Sequence, residues 1–179
     1  VPSESPDLRF PIGSFADPGA ITADHVDAWL EDLAALPGDL RRTVTPLSDA
    51  QLDTPYRPGG WTVRQVVHHL PDSHLNCFLR FRWALTEDRP VIKPYDEAAV
   101  AELPDYRSAP IGHSLDLLDT LHARWVDLIR SLSWEQLQRT FVNPESGEGT
   151  LARTVGVYAW HGRHHLAHIE GLLERENWG

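Results

Sequence analysis

Four histidines, His161, His164, His165 and His168, fall within eight positions near the end of the chain. They contain two i,i+4 pairs, 161/165 and 164/168. Residues four apart on a helix project side by side from one face. Two imidazoles so placed can bring nitrogens to one metal ion at ~2.0–2.1 Å. A third ligand would have to come from a facing helix, as in metal sites built inside helix bundles. Three protein ligands leave one position open, the arrangement of reactive rather than purely structural zinc sites. The pattern differs from the HExxH of zinc proteases. Gly162 follows His161, and no acid lies between His161 and His168 to act as their general base.

A helical wheel separates the two pairs. At ~100° per residue with Leu151 at zero, Val155, Tyr158, Leu166, Ile169 and Leu173 fall within about 60° and define a core stripe. His165 lies at roughly -40° and His161 at roughly -80°, in the stripe and on its edge. His168 and His164 lie at about -100° and -140°, progressively nearer solvent. The wheel therefore selects 161/165. The second helix offers His68, His69 and His74 as the third ligand. With Val63 at zero, His74 falls near 20°, His69 at roughly -120° and His68 near 140°. Periodicity ranks His74 first and His69 second. Pro71 blurs that ranking, because it removes the hydrogen bond to the Val67 carbonyl and should kink the helix beside His68 and His69. A lone i,i+4 pair is more often surface or packing chemistry; the facing-helix histidines are what point to a metal. His25, His113 and His122 read as ordinary surface or boundary residues.

Four long segments with 3.6-residue periodicity must position these side chains. The first follows Thr22, carries Val26, Leu30, Leu33, Leu40 and Val44, and has Pro37 as an expected kink. The second runs from about Trp61 to Leu85, the third from about Ser114 to Leu132, and the fourth follows Thr150 to about Glu174. Short helices are expected after Ser48 and Ser133, each with a serine N-cap. Lys93–Ile111 reads as a long crossover loop, and Phe141–Gly149 as a turn or small hairpin. Four amphipathic helices with one apolar stripe each imply an all-α four-helix bundle. The 179 residues suit one domain, residues 1–179, with 1–20 an extended N-terminal segment.

The totals exclude other classes. The formal net charge is -10, which argues against a nucleic-acid groove. No apolar run reaches the ~18–20 residues needed to cross a bilayer. The start shows neither an apolar signal core nor a basic leader. The single cysteine, Cys77, permits no internal disulfide, so the expected setting is reduced and cytoplasmic. Cys77 falls on the apolar stripe and reads as an inert buried thiol. The Gly59-Gly60 pair has no phosphate-loop pattern around it and reads as a simple turn.

The run LDTPYRPGGWTVRQVVHHLPDSHLN, residues 52 to 76, resembles the signature of the DinB-like superfamily, and of its YfiT branch in particular. RFRWALTEDRPVIKPYDE, residues 80 to 97, and YAWHGRHHLAHI, residues 158 to 169, are similar to the same branch, as are FPIG at 10 to 13 and LHARW at 121 to 125. The resemblance covers nearly the whole chain in order. It implies a DinB-type four-helix bundle, often a homodimer, with a three-histidine site for one divalent metal ion per chain, zinc first and nickel second. Carried over by position, the ligands are His69, His161 and His165, which replaces His74 by His69. Pro71 departs from the small residue more usual there.

The resemblance implies a metal-dependent enzyme. Transfer of a low-molecular-weight thiol of the bacillithiol type to an electrophilic small molecule ranks first. Hydrolysis of a small ester, amide or epoxide ranks second, and a non-enzymatic metal-binding stress-response module third. A hydrolase would gain from a nearby carboxylate base. Asp72 is the candidate, three residues from His69, although a plain surface acid is the commoner role. Trp61 and Trp160 adjoin the expected ligands and could wall the site. Arg57, Arg64, Arg80 and Arg82 could supply a cationic rim.

Overall fold

The structure, a computed structural model, describes residues 7–178. Its elements in chain order are α1 (Ala23–Val44), α2 (Asp49–Leu52), α3 (Val63–Thr86), α4 (Glu97–Ala101), α5 (Pro104–Ser108), α6 (Ile111–Arg130), α7 (Trp134–Leu137), β1 (Thr140–Asn143), β2 (Gly147–Thr150) and α8 (Leu151–Glu176). The long helices α1, α3, α6 and α8 form a four-helix bundle in which α1 packs on α8 and α6, and α3 packs on α6 and α8. Going round the bundle, the order is α1, α8, α3, α6, so consecutive helices are not always neighbours.

Local chemistry sets the helix starts. Thr22, Ser48, Thr62 and Ser133 each accept from the backbone N–H three residues on, and a side chain at that position reaches back to the cap, closing a capping box. Thr150 caps α8 by accepting from the Arg153 N–H. The expected hairpin is present, with Thr140 opposite Thr150 and Asn143 opposite Gly147. It delivers the chain directly onto the α8 cap.

The crossover differs from expectation. Lys93–Ile111 is not one loop, because α4 and α5 form inside it and α6 begins at Ile111. Asp96 caps α4, and Pro104 occupies the first turn of α5, where a missing N–H costs nothing. These two short helices lie on the first half of α3. They bury its remaining faces, so Val63 to Pro71 is buried throughout. Residues 7–20 of the expected extended N-terminal segment form turns and irregular chain, and residues 1–6 lie outside the described part. No helix of the described residues is long and apolar enough to cross a membrane.

Close approach of α1 and α8 depends on glycine. A Cβ on Gly162 would meet Leu36 Cδ2 at 2.4 Å, and one on Gly156 would meet the Trp29 ring at 2.8 Å. Leu36 is itself buried at 3% exposure and has little room to yield. Gly162→Val should therefore lower unfolding free energy by roughly 2 kcal/mol through overpacking. Gly171→Ala, whose Cβ meets only the Arg175 guanidinium at 3.3 Å, should raise it by up to about 1 kcal/mol through helix propensity. Chemical denaturation of the two variants checks the opposite signs.

Candidate metal centre

His69 on α3 faces His161 and His165 on α8, and one ring nitrogen from each of the three lies within 4.8 Å of the others. The Nε2 atoms of His69 and His161 are 3.2 Å apart. Two imidazole nitrogens bound tetrahedrally at ~2.0–2.1 Å would sit about 3.3 Å from each other. The spacing thus already approximates that of two ligands to one small cation. The His161 and His165 rings are 4.6 Å apart edge to face, and those of His69 and His165 4.7 Å. His69 and His165 are buried, whereas His161 is partly open.

Burial sets the protonation of this cluster. Desolvation pushes the His69 pKa down to about 4. His161 and His165 are held well below the usual histidine range, first by desolvation and then by the neighbouring imidazoles. The rings are neutral at pH 7, as metal ligands must be. His165 Nδ1 is buried without a hydrogen-bond partner. His69 Nδ1 meets the Tyr95 hydroxyl at 3.0 Å, the kind of outer contact that orients a ligating imidazole. Three neutral nitrogen donors converging on one point fit a divalent cation of the zinc type.

The cluster opens onto a cleft of about 560 Å³. His161 and His165 line it together with Trp61, Trp160, Arg57 and Glu97, and exposed Arg9 borders it. The turn before α3 builds one side. Tyr56 N–H donates to the Trp61 carbonyl at 3.0 Å, and Gly60 N–H to the Arg57 carbonyl at 2.9 Å. Gly59 takes a positive φ of 69°, which favours glycine. The Trp61 ring stacks near-parallel to His165 at 6.2 Å and lies 4.8 Å from His69. The Trp160 indole stacks on His164 at 4.7 Å and donates to the Gly13 carbonyl at 3.1 Å.

Several sequence expectations change here. His164 and His168 are not near solvent; they are 7% and 4% exposed. The N-terminal segment covers them, with His168 Nε2 3.2 Å from the Arg9 carbonyl and Phe10 beside His164. A wheel cannot register a face covered by distant, irregular chain. His74 is not the third member of the cluster, but its Nε2 lies 3.1 Å from His161 Nδ1. His122 is no boundary residue: it is 2% exposed and meets His74 at 2.8 Å. His68 bonds Ser114 and the Ala109 carbonyl instead. Asp72 turns away from the cleft and accepts from the Tyr106 hydroxyl at 2.5 Å. Of the four candidate arginines only Arg57 borders the cleft. Arg64 is buried between Asp49 and Asp53, Arg80 reaches Tyr158 and Arg82 lies over Phe78. Cys77 is fully buried, and desolvation raises its pKa, as an inert thiol requires. Arg9, Tyr95 and Glu97 gave no sequence signal of their own, because only the folded crossover and N-terminal segment bring them to the site.

A family model described as the DinB superfamily matches residues 32–169. The chain belongs to the DinB superfamily. It is 55% identical over 172 residues to a Bacillus mycoides protein named as a candidate metal-dependent hydrolase, covering 96% of this chain and 99% of that one. A Bacillus cereus protein of the same name is 54% identical over the same coverage. The solved structure of YfiT from Bacillus subtilis is described as a probable metal-dependent hydrolase with an unusual four-helix bundle topology. It superposes with a TM-score of 0.94 at 46% identity, covering 96% of this chain and 99% of that chain.

The buried neutral histidines should make this DinB-superfamily protein acid-sensitive. Burial pushes His69, His122 and His168 down to about 4, and unfolding returns them to about 6.5. Between those values the unfolded chain binds more protons, so stability falls as pH falls. Metal-free protein should lose on the order of a few kcal/mol between pH 7 and pH 5. Denaturant titration across that range checks it, and a flat profile contradicts a neutral buried cluster.

Proposed function

We propose that this protein is a metal-dependent hydrolase of a small ester, amide or epoxide, with His69, His161 and His165 holding one divalent ion. The observation that carries the reading is that Glu97 lines the same cleft as His161 and His165. Desolvation raises the Glu97 pKa, with Asp96 and Glu145 adding to the shift. A carboxylate in that position suits a general base, the role that Asp72 leaves unfilled. The names of the Bacillus relatives agree with this reading.

A divalent cation with an open side supplies Lewis acidity, bringing the pKa of water or a thiol toward neutrality. The protein's own contribution is to orient and to dry the site. Tyr95 aims His69, and Trp61 backs both His69 and His165. Zinc is the first expectation and nickel the second, since three imidazoles accept either along the usual affinity order.

Transfer of a small thiol to an electrophile is the second reading, supported by Arg57 on the rim. Its guanidinium lies over the Tyr56 ring and donates to the Tyr56 hydroxyl and the Pro58 carbonyl beside the cleft that Arg57 lines, where it could receive a thiol's carboxylates. Two measurements separate the readings. The His161→Ala, His165→Ala double variant should lose its metal, and metal kept at full occupancy would sink the site. In metal-loaded enzyme, Glu97→Gln should lower ester or amide turnover by about 10²- to 10⁴-fold with metal content unchanged. Unchanged hydrolysis in Glu97→Gln, with brisk metal-dependent conjugation of bacillithiol to an electrophile, would reverse the order.

A further inference from the structure

We infer that the Leu33 carbonyl, His122, His74 and His161 form one hydrogen-bond chain with a single proton order, which fixes His161 with its proton on Nδ1 and its bare Nε2 toward the proposed ion. The chain crosses all four long helices. Leu33 lies on α1, His122 on α6, His74 on α3 and His161 on α8. Its three links measure 2.6 Å from His122 Nδ1 to the Leu33 carbonyl, 2.8 Å from His74 Nδ1 to His122 Nε2 and 3.1 Å from His161 Nδ1 to His74 Nε2.

The order follows from valence. A carbonyl oxygen only accepts, so His122 must carry its proton on Nδ1. Neutral His122 then has a bare Nε2, which only accepts, so His74 donates from Nδ1. Neutral His74 in turn accepts at Nε2, so His161 donates from Nδ1. His122 and His74 each use their one donor and one acceptor within the chain. The atom left bare is His161 Nε2, which lies 3.2 Å from His69 Nε2. His74 and His122 are 0% and 2% exposed, so no water replaces a missing link cheaply.

The first acceptor is free for a reason visible in the sequence. A residue at position 37 of α1 would normally donate its N–H to the Leu33 carbonyl. Pro37 has none, and α1 continues through it. The carbonyl left without its helical donor is the one that His122 binds. His74 and His122 are thus positioning residues, acting on the ion through His161 without touching it.

This inference rests on the three-histidine reading only for its consequence at the ion, so two arms test it. Full-length metal-free protein with ¹⁵N-labelled histidine is measured by long-range ¹H–¹⁵N correlation at pH 7. His122, His74 and His161 should all show the Nδ1–H tautomer, and Nε2–H at His74 or His161 overturns the proposal. The second arm titrates zinc into His122→Leu and His122→Gln. Loss of the acceptor in His122→Leu should weaken zinc binding roughly 10- to 100-fold and shift His161 toward Nε2–H. His122→Gln, which keeps an acceptor, should recover part of both effects. Unchanged affinity and an unchanged His161 tautomer in folded His122→Leu would overturn it. Should the wild type bind no zinc, the ion reading fails, while the tautomers of the first arm still decide the proton order.

Discussion

Neutral imidazoles buried at the centre of a helical bundle are the constraint on which this structure turns. Out of water an imidazole favours its neutral form, and desolvation lowers the pKa of His69, His74, His122, His161 and His165. A neutral ring still carries one donor and one acceptor, and leaving either unpaired costs about 1–3 kcal/mol. The rings therefore pair with carbonyls, hydroxyls and one another. His161 Nε2 and His69 Nε2 meet each other at 3.2 Å, and the Nδ1 atoms of His164, His165 and His168 are buried without a partner. Of these rings, His69, His161 and His165 bring one nitrogen each close enough together to hold a cation.

The rest of the fold serves that arrangement. Gly162 lies between His161 and His165 and lets α8 settle on Leu36 of α1. The α1 helix in turn supplies, through Pro37, a carbonyl without its usual donor. The crossover helices α4 and α5 do double duty: they bury the outer faces of early α3, and the same segment brings Tyr95 to His69 and Glu97 to the cleft. The turn at 56–61 walls the opposite side. Elements remote in sequence thus meet at one point, which explains why a short stretch of histidines needs an entire bundle to give it chemistry.

Much of this was legible beforehand. Periodicity located the four long helices, and Thr22 and Thr150 located the starts of α1 and α8, because both signals are local; α6 begins at Ile111 with no side-chain cap, ahead of the expected Ser114. The i,i+4 pair His161 and His165 was likewise legible, since spacing on one helix needs no tertiary information. The family motifs supplied His69, where periodicity preferred His74. That preference was physically reasonable, for His74 does sit at the centre of the core, but it pairs with His161 instead of joining the cluster.

What the sequence determined by itself is therefore the four long helices and the i,i+4 histidine pair on the last one, but not α4 and α5 in the crossover. What only tertiary structure decided is how the remaining histidines divide their work. His164 and His168 are buried by the N-terminal segment, His122 is turned inward against Leu33, and Asp72 is drawn away by Tyr106. None of these follows from a wheel, because each depends on a partner from a distant element. A wheel orders side chains about one axis; which nitrogen carries a proton, and which lone pair is left for a metal, depends on what the neighbouring helices place opposite it.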